Sequence, residues 1–128
     1  MDKKIIILAC ILAISAIIFG AFGAHALKDL LSLEQLMTFE TAVKYQMYHA
    51  LFLLFLATNT YISSKAKKTI TILTVLGIVF FSGSIYLLAT NNLTTFDFKV
   101  IGFITPIGGV LLIVAWSFLL LQFLKKKA

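Results

Sequence analysis

Four apolar stretches, at residues 5–24, 45–62, 69–90 and 100–124, constrain this chain more than any other feature. Each is close to the ~20 residues that a helix needs to cross the hydrocarbon core of a bilayer. Lipid offers no water to backbone N–H and C=O groups, so a spanning segment must be a helix or part of a closed barrel. A barrel would show segments of about ten residues alternating between apolar and polar. These runs are continuous and rich in Leu, Ile and Phe, which predicts helices. With 61% hydrophobic and 12% charged residues in 128 positions, the chain has too little polar surface to clothe a soluble globule. The expected fold is an all-α integral membrane protein: a four-helix transmembrane bundle, up-down-up-down, forming one membrane domain over residues 1–128.

The formal charge is +6, but no basic groove interleaved with aromatic residues accompanies it, so no nucleic-acid partner is expected. The lysines flank the spans instead. Lys3 and Lys4 precede the first, Lys65, Lys67 and Lys68 separate the second from the third, and Lys125, Lys126 and Lys127 follow the fourth, which places eight of eleven on one side. The other side holds Lys28, Lys44 and Lys99 together with Asp29, Glu34, Glu40 and Asp97. The positive-inside rule then predicts a multi-pass protein of the plasma (inner) membrane with both termini in the cytoplasm.

The basic start, the apolar run and Ala24-His25-Ala26 imitate a cleavable secretory signal. The run is too long for that and three more follow it, so it reads as a retained first helix. Leu8-Ala9-Cys10 faintly resembles a lipoprotein site, but only about five apolar residues precede it. As the single cysteine, Cys10 can form no internal disulfide or paired metal site, and it is expected as a small packing residue inside the first helix.

The longest connection, from Ala26 to Lys44, carries helical signals. Ser32 followed by Gln35 fits a capping box, which predicts a helix starting at Leu33 and running into the second span. Leu33, Leu36 and Met37 share one face at helical spacing, as an amphipathic turn or two at the outer interface would require. Glu40 and Lys44, acid first at i, i+4, are expected to pair. The other connections, Ser63–Lys68 and Asn91–Lys99, are short and force antiparallel neighbours. Asp97 or Thr95 is positioned to cap the fourth helix, with Phe96 and Phe98 at the bilayer boundary.

Levelling the helices by depth brings the residues that lipid does not favour to one end. Gly20, Gly23 and His25 end the first span, Tyr45, Gln46, Tyr48 and His49 open the second, and Ser82, Gly83, Ser84 and Tyr86 occupy the outer half of the third. Thr105, Pro106, Gly108 and Gly109 complete the set from the fourth. The candidate polar cluster is therefore His25, Tyr45, His49, Ser82, Ser84, Tyr86 and Thr105. Thr38, Ala42, Tyr45 and His49 recur every three or four residues and are expected to face the bundle interior. His49, the deeper of two histidines, is a functional candidate because ionisable groups within a span are costly to keep. A neutral histidine bonded to a neighbouring tyrosine or serine is the plainer alternative.

The glycines read first as packing. Ala16, Gly20 and Ala24 form a small-xxx-small ridge that lets two helices approach closely, with Gly23 and Gly83 serving the same end. Pro106 removes a backbone hydrogen bond, and Gly108 and Gly109 weaken the helix further, which predicts a kinked or unwound fourth span. Its freed carbonyls would then need partners such as Ser82, Ser84 or Tyr86, or a bound ion or headgroup.

The segments GAFGAHALK at 20–28, FETAVKYQMYHALFL at 39–53, FSGSIYLL at 81–88 and IGFITPIGG at 101–109 resemble the signature segments of domain-of-unknown-function family 423. These are small bacterial membrane proteins, also called the UPF-0382 membrane proteins. The resemblance covers nearly the whole chain, one segment per span and in order. It implies a four-span inner-membrane architecture and leaves the activity open. Many relatives carry tryptophan where this chain has Phe39, a departure that bears on interfacial anchoring.

No Walker loop, nucleophile motif, HExxH zinc site or CxxCH heme site occurs, so no enzyme class, metal or cofactor is expected. Four spans leave little room for a large internal cavity, which argues against a monomeric transporter of sizeable solutes. The expected function is a small accessory protein that binds membrane lipids or a partner helix, alone or as a homo-oligomer, through the polar and glycine cluster. The alternative is a small oligomeric channel or transporter with Tyr45 and His49 lining its path. A membrane enzyme acting on lipid or quinone ranks below both, because no acid and nucleophile constellation accompanies the histidines.

Overall fold

The computed structural model describes residues 1–95 and 97–125. Phe96, Lys126 and Lys127 lie outside the described residues, and with them one of the phenylalanines expected at the boundary and two of the flanking lysines. Four helices account for the bundle: α1 (Asp2–His25), α2 (Leu33–Thr58), α3 (Ser64–Ala89) and α4 (Ile104–Lys125). At 1.5 Å per residue they are roughly 33–39 Å long, enough to cross a bilayer. They alternate in direction, α1 packing on α2 and α3 on α4, with α2 joining the two pairs through α3. No strand occurs among the described residues.

Three helical segments, Asp2–His25, Ser64–Ala89 and Phe98–Lys125, are long and apolar enough by themselves to cross a membrane. α2 is long enough but less apolar, because Lys44, Tyr45, Gln46, Tyr48 and His49 fall within it. The bundle shelters part of that polarity. Gln46 and His49 are each only 4% exposed, which is the arrangement lipid demands of polar groups at depth.

Short-range chemistry sets most helix ends. The Ser32 hydroxyl accepts from the Gln35 N–H at 3.1 Å, and the Gln35 side chain accepts from the Ser32 N–H at 2.9 Å, so the capping box starts α2 at Leu33 as expected. Ser63 caps α3 by accepting from the Ala66 N–H at 3.2 Å. The stretch expected as a polar connection up to Lys68 is consequently already helix. α2 stops at Thr58, short of the expected residue 62, where Asn59 turns extended and its side chain accepts from the Tyr61 N–H at 2.8 Å. Asp97 caps only the short 3-10 turn Phe98–Ile101, so α4 begins later than the expected residue 100.

That late start overturns the expected kink at Pro106. Pro106 is the third residue of α4, where its missing N–H belongs to the first turn that no helix bonds internally. α4 runs on through Gly108 and Gly109 to Lys125 without a break. The irregularity sits in the facing helix, where α3 contains a π turn at Val79–Gly83. Gly108 lies against this turn. A Cβ there would overlap the Phe81 backbone nitrogen and come within 2.6 Å of the Phe80 carbonyl carbon, so the two backbones touch. Gly77 deepens the same crossing, since a Cβ on it would meet Leu112 at 2.6 Å. By contrast Gly83, expected as a packing glycine, has nothing within 4 Å of where its Cβ would be, and Gly109 makes only ordinary contact with the Phe81 ring.

The small-residue ridge of α1 works as expected over part of its length. Ala9 and Ala16 are fully buried, Gly20 lies against Val43, and a Cβ on Gly23 would reach the Phe39 ring at 2.9 Å. Ala24 departs from the ridge and is exposed, since 24 lies off the face that carries 9, 16, 20 and 23. Cys10 also faces outward, not into the packing as expected. At the end of the bundle holding the N-terminus, Ile5, Ala9, Leu53, Leu56, Ile70 and Leu119 form the larger core. Leu27, Leu31, Phe39 and Ala89 close the opposite end.

Lys67, read from sequence as one more flanking charge, is only 5% exposed. Its ammonium donates to Asp2 Oδ1 at 3.1 Å and to the Ala57 carbonyl at 3.0 Å. One side chain thus ties the start of α1, the last turn of α2 and the start of α3.

Candidate functional site

The polar residues expected as one cluster are distributed over separate links between helices. The first link centres on Gln46. Its amide nitrogen donates to the Leu12 carbonyl at 2.9 Å and to the Ser15 hydroxyl at 2.6 Å, while its oxygen accepts from the Tyr86 hydroxyl at 2.7 Å. One glutamine therefore joins α1, α2 and α3. Tyr86 is further held by Phe19 and Phe39, each ring centre 5.1 Å away.

The second link joins α2 to α4. Trp116 Nε1 stands 3.1 Å from His49 Nε2, and the Tyr45 carbonyl 2.7 Å from His49 Nδ1. An indole N–H can only donate, so His49 Nε2 accepts and the single ring proton sits on Nδ1, directed at Tyr45. Both nitrogens are occupied and the imidazole is held neutral. Of the two readings of His49 in the sequence, this geometry matches the satisfied neutral ring, with an indole and a backbone carbonyl as partners.

Ser82 and Ser84 serve the π turn. Ser82 donates to the Ala42 carbonyl at 2.8 Å, linking α3 to α2. Ser84 bonds the Phe80 and Phe81 carbonyls of the π turn, and shares a hydrogen bond with Thr105 of α4. The Phe81 carbonyl also accepts the Ser84 backbone N–H, so the freed carbonyls expected in the fourth span have no counterpart there. His25 stands apart, exposed at the last residue of α1. Tyr45 and Thr38 are exposed too, correcting the expectation that they line the interior. The buried face of α2 runs through Phe39, Ala42, Gln46, His49, Leu53 and Leu56. Tyr45 instead lies on the outside against Phe81, Tyr48 and His49.

Ser15 and Trp116 join these links without having been singled out from the sequence, and Gln46 was levelled with the polar residues but not counted in the cluster. Gln46 had a signal, since it shares the 3.6-residue stripe of Phe39, Ala42, His49 and Leu53 better than Tyr45 does. Ser15 and Trp116 had none beyond their type.

Open space lies at the periphery of the bundle. A groove of about 400 Å³ runs between the end of α1 and the start of α2. Gly20, Gly23, Phe39 and Val43 give it an apolar floor, and Lys28, Glu40 and Lys44 stand at its rim. Glu40 and Lys44 pair at 3.5 Å as expected, both well exposed. A second groove, of about 440 Å³, is lined by Phe52, Phe55, Trp116, Leu119, Leu120 and Phe123 and has no charged member. Among the described residues no group of three or more His, Cys, Asp and Glu is placed to hold a metal.

The family model described as "Protein of unknown function (DUF423)" matches residues 19–109, well over half of the chain. The chain belongs to this family. The matched region contains all seven residues of the expected polar cluster and the whole groove between α1 and α2. Relatives named UPF0382 membrane protein extend the similarity over almost the full length. One from Staphylococcus saprophyticus is 44% identical, covering 93% of this chain and 95% of its own. One from Bacillus subtilis is 36% identical, covering 96% and 98%. One from Haemophilus influenzae is 32% identical, covering 100% and 99%. No solved structure matches the chain significantly. The helical bundle is therefore that of a membrane protein, as the sequence indicated.

Proposed function

We propose that this protein is a lipid-binding accessory protein, not an enzyme, which seats one amphiphile in the groove between α1 and α2. The supporting observation is the composition of that groove. An apolar floor with two glycines accommodates an acyl or isoprenoid chain, and ammonium groups of Lys28 and Lys44 with the Glu40 carboxylate suit a zwitterionic headgroup. Its size lies within the range of ordinary small-molecule sites. The polar network inside the bundle supports binding over conduction, because Gln46, His49, Ser82 and Ser84 spend their hydrogen bonds on neighbouring helices. That saturation leaves none of these four side chains free to line a path for an ion.

In this reading all four helices span the bacterial plasma membrane and both termini are cytoplasmic. Lys3, Lys4, Lys65, Lys68 and Lys125 gather at the end of the bundle where α1 and α3 begin and α2 and α4 finish. The groove then opens toward the outer leaflet.

The test is native mass spectrometry of protein released from membrane nanodiscs without prior delipidation. One discrete lipid mass retained by the wild type, and lost in Ala24→Trp, supports the proposal, since Ala24 lines the groove and is not packed. Lys28→Gln/Lys44→Gln should weaken retention without unfolding the bundle. A wild type that emerges lipid-free, or a zwitterionic lipid retained undiminished in Ala24→Trp, contradicts it.

A further inference from the structure

The opposite end of the bundle carries a second site that the groove between α1 and α2 does not require. Between the first turns of α1 and α3 lies a recess of about 200 Å³ lined by Met1, Lys4, Ile5, Leu8, Lys68, Thr71 and Ile72. Its floor is apolar, and both charged side chains on its rim, Lys4 and Lys68, are cations. Of the five acidic residues only Asp2 lies at this end, and its carboxylate is taken by Lys67. α1 and α3 both start here, so the positive ends of two helix dipoles add to the same field. One polar atom is left over. It is the Thr71 hydroxyl, shielded from solvent and without a hydrogen-bond partner among the described residues, which lies beneath the recess and not open to it.

We propose that this recess binds the headgroup of an anionic phospholipid, its phosphodiester held between Lys4 and Lys68 and its acyl chain laid along Ile5, Leu8 and Ile72. The charge distinguishes the two sites. The groove between α1 and α2 pairs Lys44 with Glu40, whereas the side chains on the rim of the recess are cations alone, as in basic pockets that take anionic headgroups. Lys67 contributes indirectly, because holding Asp2 keeps the one nearby carboxylate from competing for the lysines.

The experiment uses the full chain in nanodiscs of phosphatidylcholine with a minor fraction of phosphatidylglycerol, counting the lipids retained on release. Phosphatidylglycerol should be enriched over its share in the disc, and Lys4→Gln/Lys68→Gln should lower that enrichment roughly tenfold or more. Thr71→Val, which leaves every charge in place and removes only a shielded hydroxyl, should leave the enrichment unchanged. Ala24→Trp should leave phosphatidylglycerol retention unchanged, and Lys4→Gln/Lys68→Gln should leave the lipid of the groove between α1 and α2 in place, so each reading can fail alone. No enrichment, or equal enrichment in the double variant, overturns the proposal. Displacement of phosphatidylglycerol by millimolar inorganic phosphate overturns it as well, since the recess would then be a site for free phosphate.

Discussion

Gly108 and Gly83 are both helical glycines in the stretch where α3 meets α4, and they do opposite things. Gly108 sits where the α4 backbone touches the π turn, so Gly108→Ala must push the helices apart. A cost of roughly 1–3 kcal/mol, in line with overpacking elsewhere, should appear as a lower Tm in detergent. Gly83 faces open space, so Gly83→Ala should be neutral or stabilise by up to about 1 kcal/mol through helix propensity. Equal effects of the two would contradict the crossing described. Sequence marked both glycines as special, but which one meets a backbone depends on a π turn that no local pattern announces. Gln46 shows the same limit from the other side. Its place on the buried stripe was legible, whereas its three partners on α1 and α3 were set by how those helices dock. Gln46→Leu should strand the Tyr86 hydroxyl and cost about 1–3 kcal/mol by thermal unfolding. Tyr86→Phe in the Gln46→Leu background should recover part of that loss, because the stranded group is then gone.

At the scale of the helix, local signals were the dependable ones. Ser32 with Gln35 fixed the start of α2 to the residue because both halves of the capping box lie within one turn and need no tertiary partner. Pro106 misled for a related reason. A proline breaks a helix only in its interior, and the 3-10 turn that Asp97 caps delays α4 until Pro106 falls in the first turn. Lys67 was legible as a charge but not as a buried one, since its partners Asp2 and Ala57 come from two other helices. Lys67→Met keeps the length of the side chain and removes its three donors. It should destabilise the end of the bundle holding the N-terminus by roughly 1–3 kcal/mol, with faster hydrogen exchange in the last turn of α2 and the first of α1. Exchange rates unchanged there would show that the ammonium contributes no more than an exposed ion pair.

Over the whole molecule, the four-helix bundle was legible because bilayer physics permits few alternatives to continuous apolar runs. The single polar cluster was less so. Depth brought its residues to similar levels, but rotation about each helix axis then separated them, sending His25 and Tyr45 outward and binding the rest in pairs across helix contacts. The proposed topology makes its own prediction. In a Cys10→Ala background, a cysteine at Asp29 should react with an impermeant maleimide added outside intact cells, and one at Lys65 only after permeabilisation. The reverse pattern would place the groove between α1 and α2 in the inner leaflet.

The central claim is that this groove is a lipid site. A crystal structure of the full-length protein, purified with its native lipids and grown from a lipidic mesophase, tests it most directly. The account predicts one ordered amphiphile with its chain over Gly20, Gly23 and Val43 and its headgroup between Lys28 and Lys44. A groove filled by a helix of a second copy, or empty while ordered lipid lies elsewhere on the bundle, would contradict it.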